Sequence, residues 1–155
     1  MSATISTCGQ YRYTLERSWA DPCRWMAFIM LNPSTADAEL DDPTIRRCRR
    51  FAEDFGFSGF VVGNLFALRS TDPAVMKAHN APIGPENDAY LDKLIQQADL
   101  IVCAWGAHGK FRNRGDNVLR RIRAAGKTPH CLRMTKAGQP EHPLYLPGEL
   151  RPIPM

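Results

Sequence analysis

Apolar residues along this chain gather in short runs, and amphipathic stretches separate the runs. "RYTLERSW" (residues 12–19) alternates apolar and polar positions, the period of a strand with one buried face. "RWMAFIML" (24–31) is almost continuously apolar, as expected of a strand covered on both faces. "GFVVGNLFAL" (59–68), "ADLIVCAWG" (98–106) and "TPHCLRM" (128–134) repeat that signature, and Asp21-Pro22 predicts a turn before the first of these buried strands.

Helical spacing fills the gaps. Asp42 caps a helix with Pro43 at its first position, running from Thr44 to Phe55 and stopped by Gly56. Its apolar stripe is Ile45, Cys48, Ala52 and Phe55, which leaves Arg46, Arg47, Arg49 and Arg50 on the other faces. Asp72-Pro73 opens a short helix. Pro85 opens another, with Tyr90, Leu91, Leu94 and Ile95 inward. "NVLRRIRAAG" (117–126) is a helix that buries Val118, Leu119 and Ile122 and stops at Gly126. Buried strands separated by helices imply an α/β/α three-layer sandwich, with a mainly parallel sheet of about four strands plus an N-terminal strand. The proline-rich tail from Gly138 reads as an ordered loop packed on a single domain spanning residues 1–155.

Composition is that of an ordinary soluble globular protein. No apolar stretch approaches the roughly 18 residues of a membrane span, and the N-terminus lacks an apolar signal core. Five cysteines form no CxxC pair, and three fall in apolar patterns as reduced core thiols. The expected compartment is the cytoplasm, with no obligate protein partner indicated. Net charge is only +4, but it is concentrated: four arginines lie within residues 46–50, and a second basic region runs from Lys110 to Lys127. Such surfaces suit phosphates, as they also suit solvent.

In open parallel sheets, ligands bind beyond the carboxyl ends of the strands. That rule selects Asn32, Pro33, Ser34 and Thr35 after one strand and Asn64 at the end of the next. After the third come Trp105, Gly106, His108 and Gly109, and after the fourth Arg133, Thr135 and Lys136, then His142. "GAHGK" lacks the spacing of a nucleotide-triphosphate loop. Its glycine turn, with His108, Lys110, Arg112 and Arg114, suits an anion. The four histidines are scattered and have no cysteine partners at ligand spacing, so neither a metal nor another cofactor is implied. No G-x-S-x-G occurs, so a serine hydrolase is not indicated.

"MLNPSTAD", "DDPTIRR", "NLFALRSTDP", "AWGAHG" and "HPLYL", in that order, resemble an uncharacterised prokaryotic family, the domain of unknown function DUF1643. The motif order is also distantly similar to the uracil-DNA glycosylase superfamily, whose fold is a four-stranded parallel sheet between helices. There the first strand ends in Gly-Ile-Asn-Pro-Gly, with the Asn positioning water. "LNPS" puts Asn32 and Pro33 at that place, with Ser34 where the second glycine stands. "VVGN" puts Asn64 where that superfamily reads the uracil edge. "EHPLY" puts His142 at the residue near the leaving base, Leu144 in place of a serine, and Tyr145 close to a DNA-wedging position.

The resemblance implies an N-glycosidic bond hydrolase directed at nucleic acid, DNA or RNA, or at a nucleotide. Asn32 would orient water, His142 would stabilise the departing base, and Asp37, Asp41 or Asp42 would accept a proton. Pro33, Ser34, Asn64, Trp105, His108 and Tyr145 would contact substrate. Arg46, Arg50, Lys110 and Arg112 would hold phosphates. The residues by themselves also fit an enzyme on a small phosphorylated metabolite, or a non-catalytic nucleic-acid-binding module.

Overall fold

The computed structural model describes residues 1–21 and 24–155, so the turn expected at Asp21-Pro22, and Cys23, lie outside the described residues. The chain forms a mixed α/β structure. In order, its elements are β1 (Ser2–Ile5), β2 (Arg12–Ser18), β3 (Met26–Met30), α1 (Pro43–Asp54), β4 (Gly59–Asn64), α2 (Pro73–Ala78), α3 (Asn87–Gln97), β5 (Leu100–Cys103), α4 (Arg114–Ala124), β6 (Pro129–Cys131) and β7 (Ile153–Pro154). Two 3-10 segments, Ala107–Asn113 and Pro143–Tyr145, complete it.

Among the described residues, seven strands form one sheet in the order β1-β2-β4-β3-β5-β6-β7. The four buried runs predicted from sequence occupy its centre, where β3 pairs in parallel with β4 and β5, and β5 with β6. The expectation of a mainly parallel sheet fails for the sheet as a whole. β2 joins β4 antiparallel, β1 joins β2 antiparallel, and β7 joins β6 antiparallel. The segment "SATI" pairs as β1, though its alternation covers only four residues with two apolar positions, and the tail ends as a strand on β6. In both cases main-chain pairing with an exposed sheet edge supplies what side-chain periodicity does not.

Alternation along the central strands divides the core between two faces. Ala27, Ile29, Val61, Ile101 and Cys103 meet α3 and α4 through Leu91, Leu94, Ile95, Val118 and Ile122. Met26, Phe28, Met30, Phe60, Val62 and Val102 meet α1 through Ile45, Cys48, Phe51 and Ala52. A Cβ at Gly63 would lie 3.0 Å from both Leu91 and Leu94, so the missing side chain lets α3 approach β4 closely. Cys48, Cys103 and Cys131 are buried thiols, and burial raises the pKa of each.

α1 begins as predicted. Asp42 is the N-cap, its Oδ1 accepts from the Ile45 N–H at 2.9 Å, and Pro43 follows. The tail folds back over the same helix: Leu146 enters the core beside Phe51, and Arg47 Nη2 donates to the Leu146 carbonyl. Among the described residues, no helix is long and apolar enough to cross a membrane.

Candidate functional site

The strand ends converge on a cavity of about 390 Å³. Asn32 and Ser34 reach it from beyond β3, Asn64 from the end of β4, Trp105 and His108 from beyond β5, and His142 from the tail. Asp42, Thr44 and Ile45 enter from the start of α1, Ser70 and Thr71 from the segment before α2, and Arg12 from β2. Residues separated by 130 positions in sequence therefore share one concavity, and the parallel order of the central strands brings them there.

The main chain beneath the site is tightly held. Past the ends of β3 and β4 the ladder continues, with Leu65 N–H donating to the Met30 carbonyl at 2.8 Å and Phe66 N–H to Leu31 at 3.0 Å. Ser70 N–H then donates to the Pro33 carbonyl at 2.9 Å, while Asn32 Nδ2 donates to the Ser70 carbonyl at 2.8 Å. Asn32 thus ties two strand-end loops together through its amide nitrogen. Its Oδ1 bonds to no described residue and remains available as an acceptor. Pro33 is buried, contributes its carbonyl to this tie, and does not line the cavity.

Asn64 is 1% exposed, and neither Oδ1 nor Nδ2 has a hydrogen-bond partner among the described residues. Leaving a buried carboxamide unpaired costs about 1–3 kcal/mol for each orphaned group. Side-chain alternation on β4 turns Asn64 to the α1 face with Phe60 and Val62, towards the cavity. Both a donor and an acceptor therefore lie at the cavity wall without a partner among the described residues.

His142 reaches the cavity because the chain reverses after β6. Thr135 N–H donates to the Gln139 carbonyl at 2.7 Å, Glu141 N–H to the Arg133 carbonyl at 2.8 Å, and Gly106 N–H to the Pro140 carbonyl at 2.7 Å. Gly138 permits the reversal with φ of 79°. The His142 Nδ1 accepts from the Leu144 N–H at 3.3 Å, which places the proton of the neutral ring on Nε2. Burial lowers the His142 pKa below its ordinary value, with the Asp42 carboxylate opposing the shift. The neutral ring is the favoured form at pH 7, and its Nε2–H is a donor.

Trp105 is a wall of the cavity fixed by close packing. Its Nε1 donates to Gln139 Oε1 at 2.9 Å, and a Cβ at Gly109 would fall 1.9 Å from its Cδ1. His108 is exposed at the rim, with its Nδ1 accepting from Lys77 Nζ at 2.9 Å.

Several expected contacts lie elsewhere. Asp37 does not line the cavity: its Oδ1 accepts from the Glu39 and Leu40 N–H groups, which lower its pKa. Asp41 is paired with the buried Arg17 at 2.8 Å. Of the three acids considered, Asp42 alone reaches the cavity among its lining residues. Tyr145 is 91% exposed and outside it.

The basic regions are largely tied inward. Arg47 stacks on Phe51, and Arg49 pairs with Glu53 at 2.9 Å and lies over Trp19. Arg114 is buried against Asp88, while Arg121 pairs with Asp88 and Asp92. Arg46, Arg50, Lys110 and Arg112 are exposed, and none lines the cavity. Arg46 donates to the Asp41 carbonyl, and Arg112 has φ of 53° and packs over Phe111. Among the described residues no group of three His, Cys, Asp or Glu side chains forms a metal-ligand cluster.

Arg12 was outside the expected site. Alternation in "RYTLERSW" sets it opposite to Tyr13 and Leu15, as a solvent-facing residue. The β1–β2 register shifts between Thr4 and Ile5, with Thr14 opposite Thr4 and Arg12 opposite Ile5. Tyr13 accordingly packs on the α3/α4 face while Leu15 packs on the α1 face, and Arg12 is 2% exposed. Thr44, Ser70 and Thr71 were also missed, since short hydroxyl residues near helix starts read as caps.

No curated protein and no solved structure matches the chain. A family model described as a protein of unknown function, DUF1643, matches residues 12–144, a span that holds all the cavity residues named above, and the chain belongs to that family.

Proposed function

We propose that this protein is an N-glycosidic bond hydrolase that takes a nucleobase into the cavity and cleaves its bond to the sugar by water attack. The observation that carries this reading is the Asn64 carboxamide, buried at the cavity wall and unpaired among the described residues. A planar edge that offers one donor beside one acceptor, such as N3–H and O4 of a uracil-like base, complements it atom for atom. Because no described residue bonds either end of the amide, the group can also rotate to meet the reversed pattern. The similarity of motif order to the uracil-DNA glycosylase superfamily supports the reading, as do the parallel central strands flanked by helices on both faces.

The remaining groups suit the bond change. Asn32 Oδ1 accepts a hydrogen bond from water, and Asp42 takes the proton released when the water oxygen bonds to the sugar carbon. The electron pair of the broken bond leaves with the base nitrogen, and the His142 Nε2–H donates to the anion that develops. Trp105 walls the pocket. Arg46 and Arg50 are exposed cations of α1 with no acidic partner among the described residues, suited to backbone phosphates of a nucleic acid that presents the base.

Single-turnover assays on oligonucleotides and free nucleotides carrying uracil, hypoxanthine or oxidised pyrimidines test this function. Base release that falls on the order of 100-fold in Asn32→Ala and His142→Ala, with binding retained, is the expected result. Tight binding without release from any substrate would leave a binding module on this scaffold.

A further inference from the structure

Three arginines are buried in this fold, and two of them meet a carboxylate. Arg17 Nε lies 2.8 Å from Asp41, and Arg114 Nη2 lies 2.6 Å from Asp88. Arg12 is as deeply buried and has no acidic partner among the described residues. Its Nη1 donates to the Ala36 carbonyl at 2.9 Å, and its Nε is sealed from solvent without an acceptor. Burial pushes its pKa down to about 10, with the nearby Arg69 and Arg17 adding to the effect and Asp42 opposing it. A guanidinium held this way has no direct ionic partner among the described residues, Asp42 acting on it only at a distance, and burial of such a charge is unfavourable unless something pairs with it.

The group lines the cavity, and so does the first turn of the 12-residue helix α1. At that end the Ile45 N–H is taken by Asp42, Pro43 has none, and the Thr44 N–H has no acceptor within the helix. Thr44 itself lines the cavity. A buried unpaired cation and the positive end of a helix thus face the same space.

We propose that Arg12 and the N-terminal turn of α1 form an anion subsite within the cavity, so that its ligand is a small acid bearing a phosphate monoester, of the class of a mononucleotide. Phosphate is preferred to carboxylate because the guanidinium, the Thr44 N–H and the Thr44 hydroxyl approach from different elements, and a phosphate monoester meets them with three terminal oxygens and the greater negative charge. The base half of this ligand rests on the reading of Asn64 above, whereas the anion half rests on Arg12 and the first turn of α1. A cavity of about 390 Å³ is at the lower end of small-ligand pockets, in keeping with one nucleotide.

Calorimetry with uridine 5′-monophosphate, uridine, inorganic phosphate and acetate tests the proposal. The monophosphate should bind on the order of 10- to 100-fold more tightly than uridine, as charge-assisted hydrogen bonds do. That advantage should vanish in Arg12→Gln. Asn64→Leu should weaken both uridine compounds while phosphate binding persists. Equal affinity for uridine and its monophosphate, or an advantage that survives Arg12→Gln, would overturn the subsite. Acetate binding equal to phosphate would overturn the preference for a phosphate group. Should Arg12→Gln not fold, the Arg12 Nε–H resonance of the wild type decides, since it must shift on addition of phosphate and an unmoved signal refutes the subsite. Arg12-dependent phosphate binding without any uridine binding would uphold the subsite and remove the base reading.

Discussion

Asn87 holds Asn64 by its main chain and leaves its side chain free. The Asn87 Nδ2 donates to the carbonyls of Asn64 at 3.0 Å and Leu65 at 3.1 Å, and Arg114 Nε donates to Leu65 at 2.8 Å. The end of β4 is thereby fixed by groups from α3 and α4, while the Asn64 carboxamide has no partner among the described residues. Asn87→Ala strips a donor from two buried carbonyls and should cost about 1–3 kcal/mol of stability. Chemical denaturation reads that loss, and ligand affinity should fall with it as β4 loosens. A variant with unchanged stability would mean that Asn87 does not set the position of Asn64.

The opposite result is expected at Asn64 itself. Asn64→Leu removes two orphaned buried atoms and fills part of the cavity with methyl groups. Stability of the ligand-free protein should hold or rise by about 1 kcal/mol while base binding is lost. Denaturation midpoints compared with calorimetry check both halves. A loss of more than about 1 kcal/mol would assign Asn64 a structural role.

His142 gives a pH dependence with a definite sign. Burial lowers its pKa in the folded chain from the ordinary 6.5, so the unfolded chain binds its proton more readily. Its contribution is fully present above pH 6.5 and is lost as pH falls through the folded pKa. Asp42 faces it and limits the shift, while Arg12 lines the same cavity. Thermal midpoints should therefore decline below that pH more steeply in the wild type than in His142→Gln. Parallel curves would show that the ring titrates as if exposed.

Salt dependence separates a polynucleotide ligand from a mononucleotide one. Arg47 and Arg49 are partly covered and bound to Leu146 and Glu53, whereas Arg46, which donates only to the Asp41 carbonyl, and Arg50 are exposed on α1 for backbone phosphates. Two contacts give a slope of log K against log salt no steeper than about −2. Fluorescence titrations of oligonucleotides across a salt series should give that value, and Arg46→Gln with Arg50→Gln should flatten it. A slope near −5 would require a basic surface that these residues do not provide.

The central strands, the cap of α1 and the convergence of Asn32, Asn64 and His142 were legible because local patterns reported them. Buried parallel strands show as apolar runs, and strand ends in such sheets face one side. Arg12 was not legible, because a register shift in β2 inverts an alternation that looks regular in sequence. Nor were β1 and β7, which are held by edge pairing in place of a hydrophobic stripe. The arginine clusters misled for a related reason. Sequence counts charges, but only packing shows that Arg114 and Arg121 face Asp88 and that Arg47 faces Phe51 and Leu146. Asp37 was drawn into the site by proximity in sequence, and its own backbone turn claims its carboxylate.

The claim at the centre of this account is that Asn64 reads a nucleobase edge in the cavity, and Asn64→Asp tests it most directly. The substitution keeps the size of the side chain and replaces its donor with an acceptor. Calorimetry of wild type and variant with uridine and cytidine monophosphates should show the variant shifting towards the amino-bearing cytosine edge, by on the order of tenfold in relative affinity. The same relative affinity in both proteins would contradict the account.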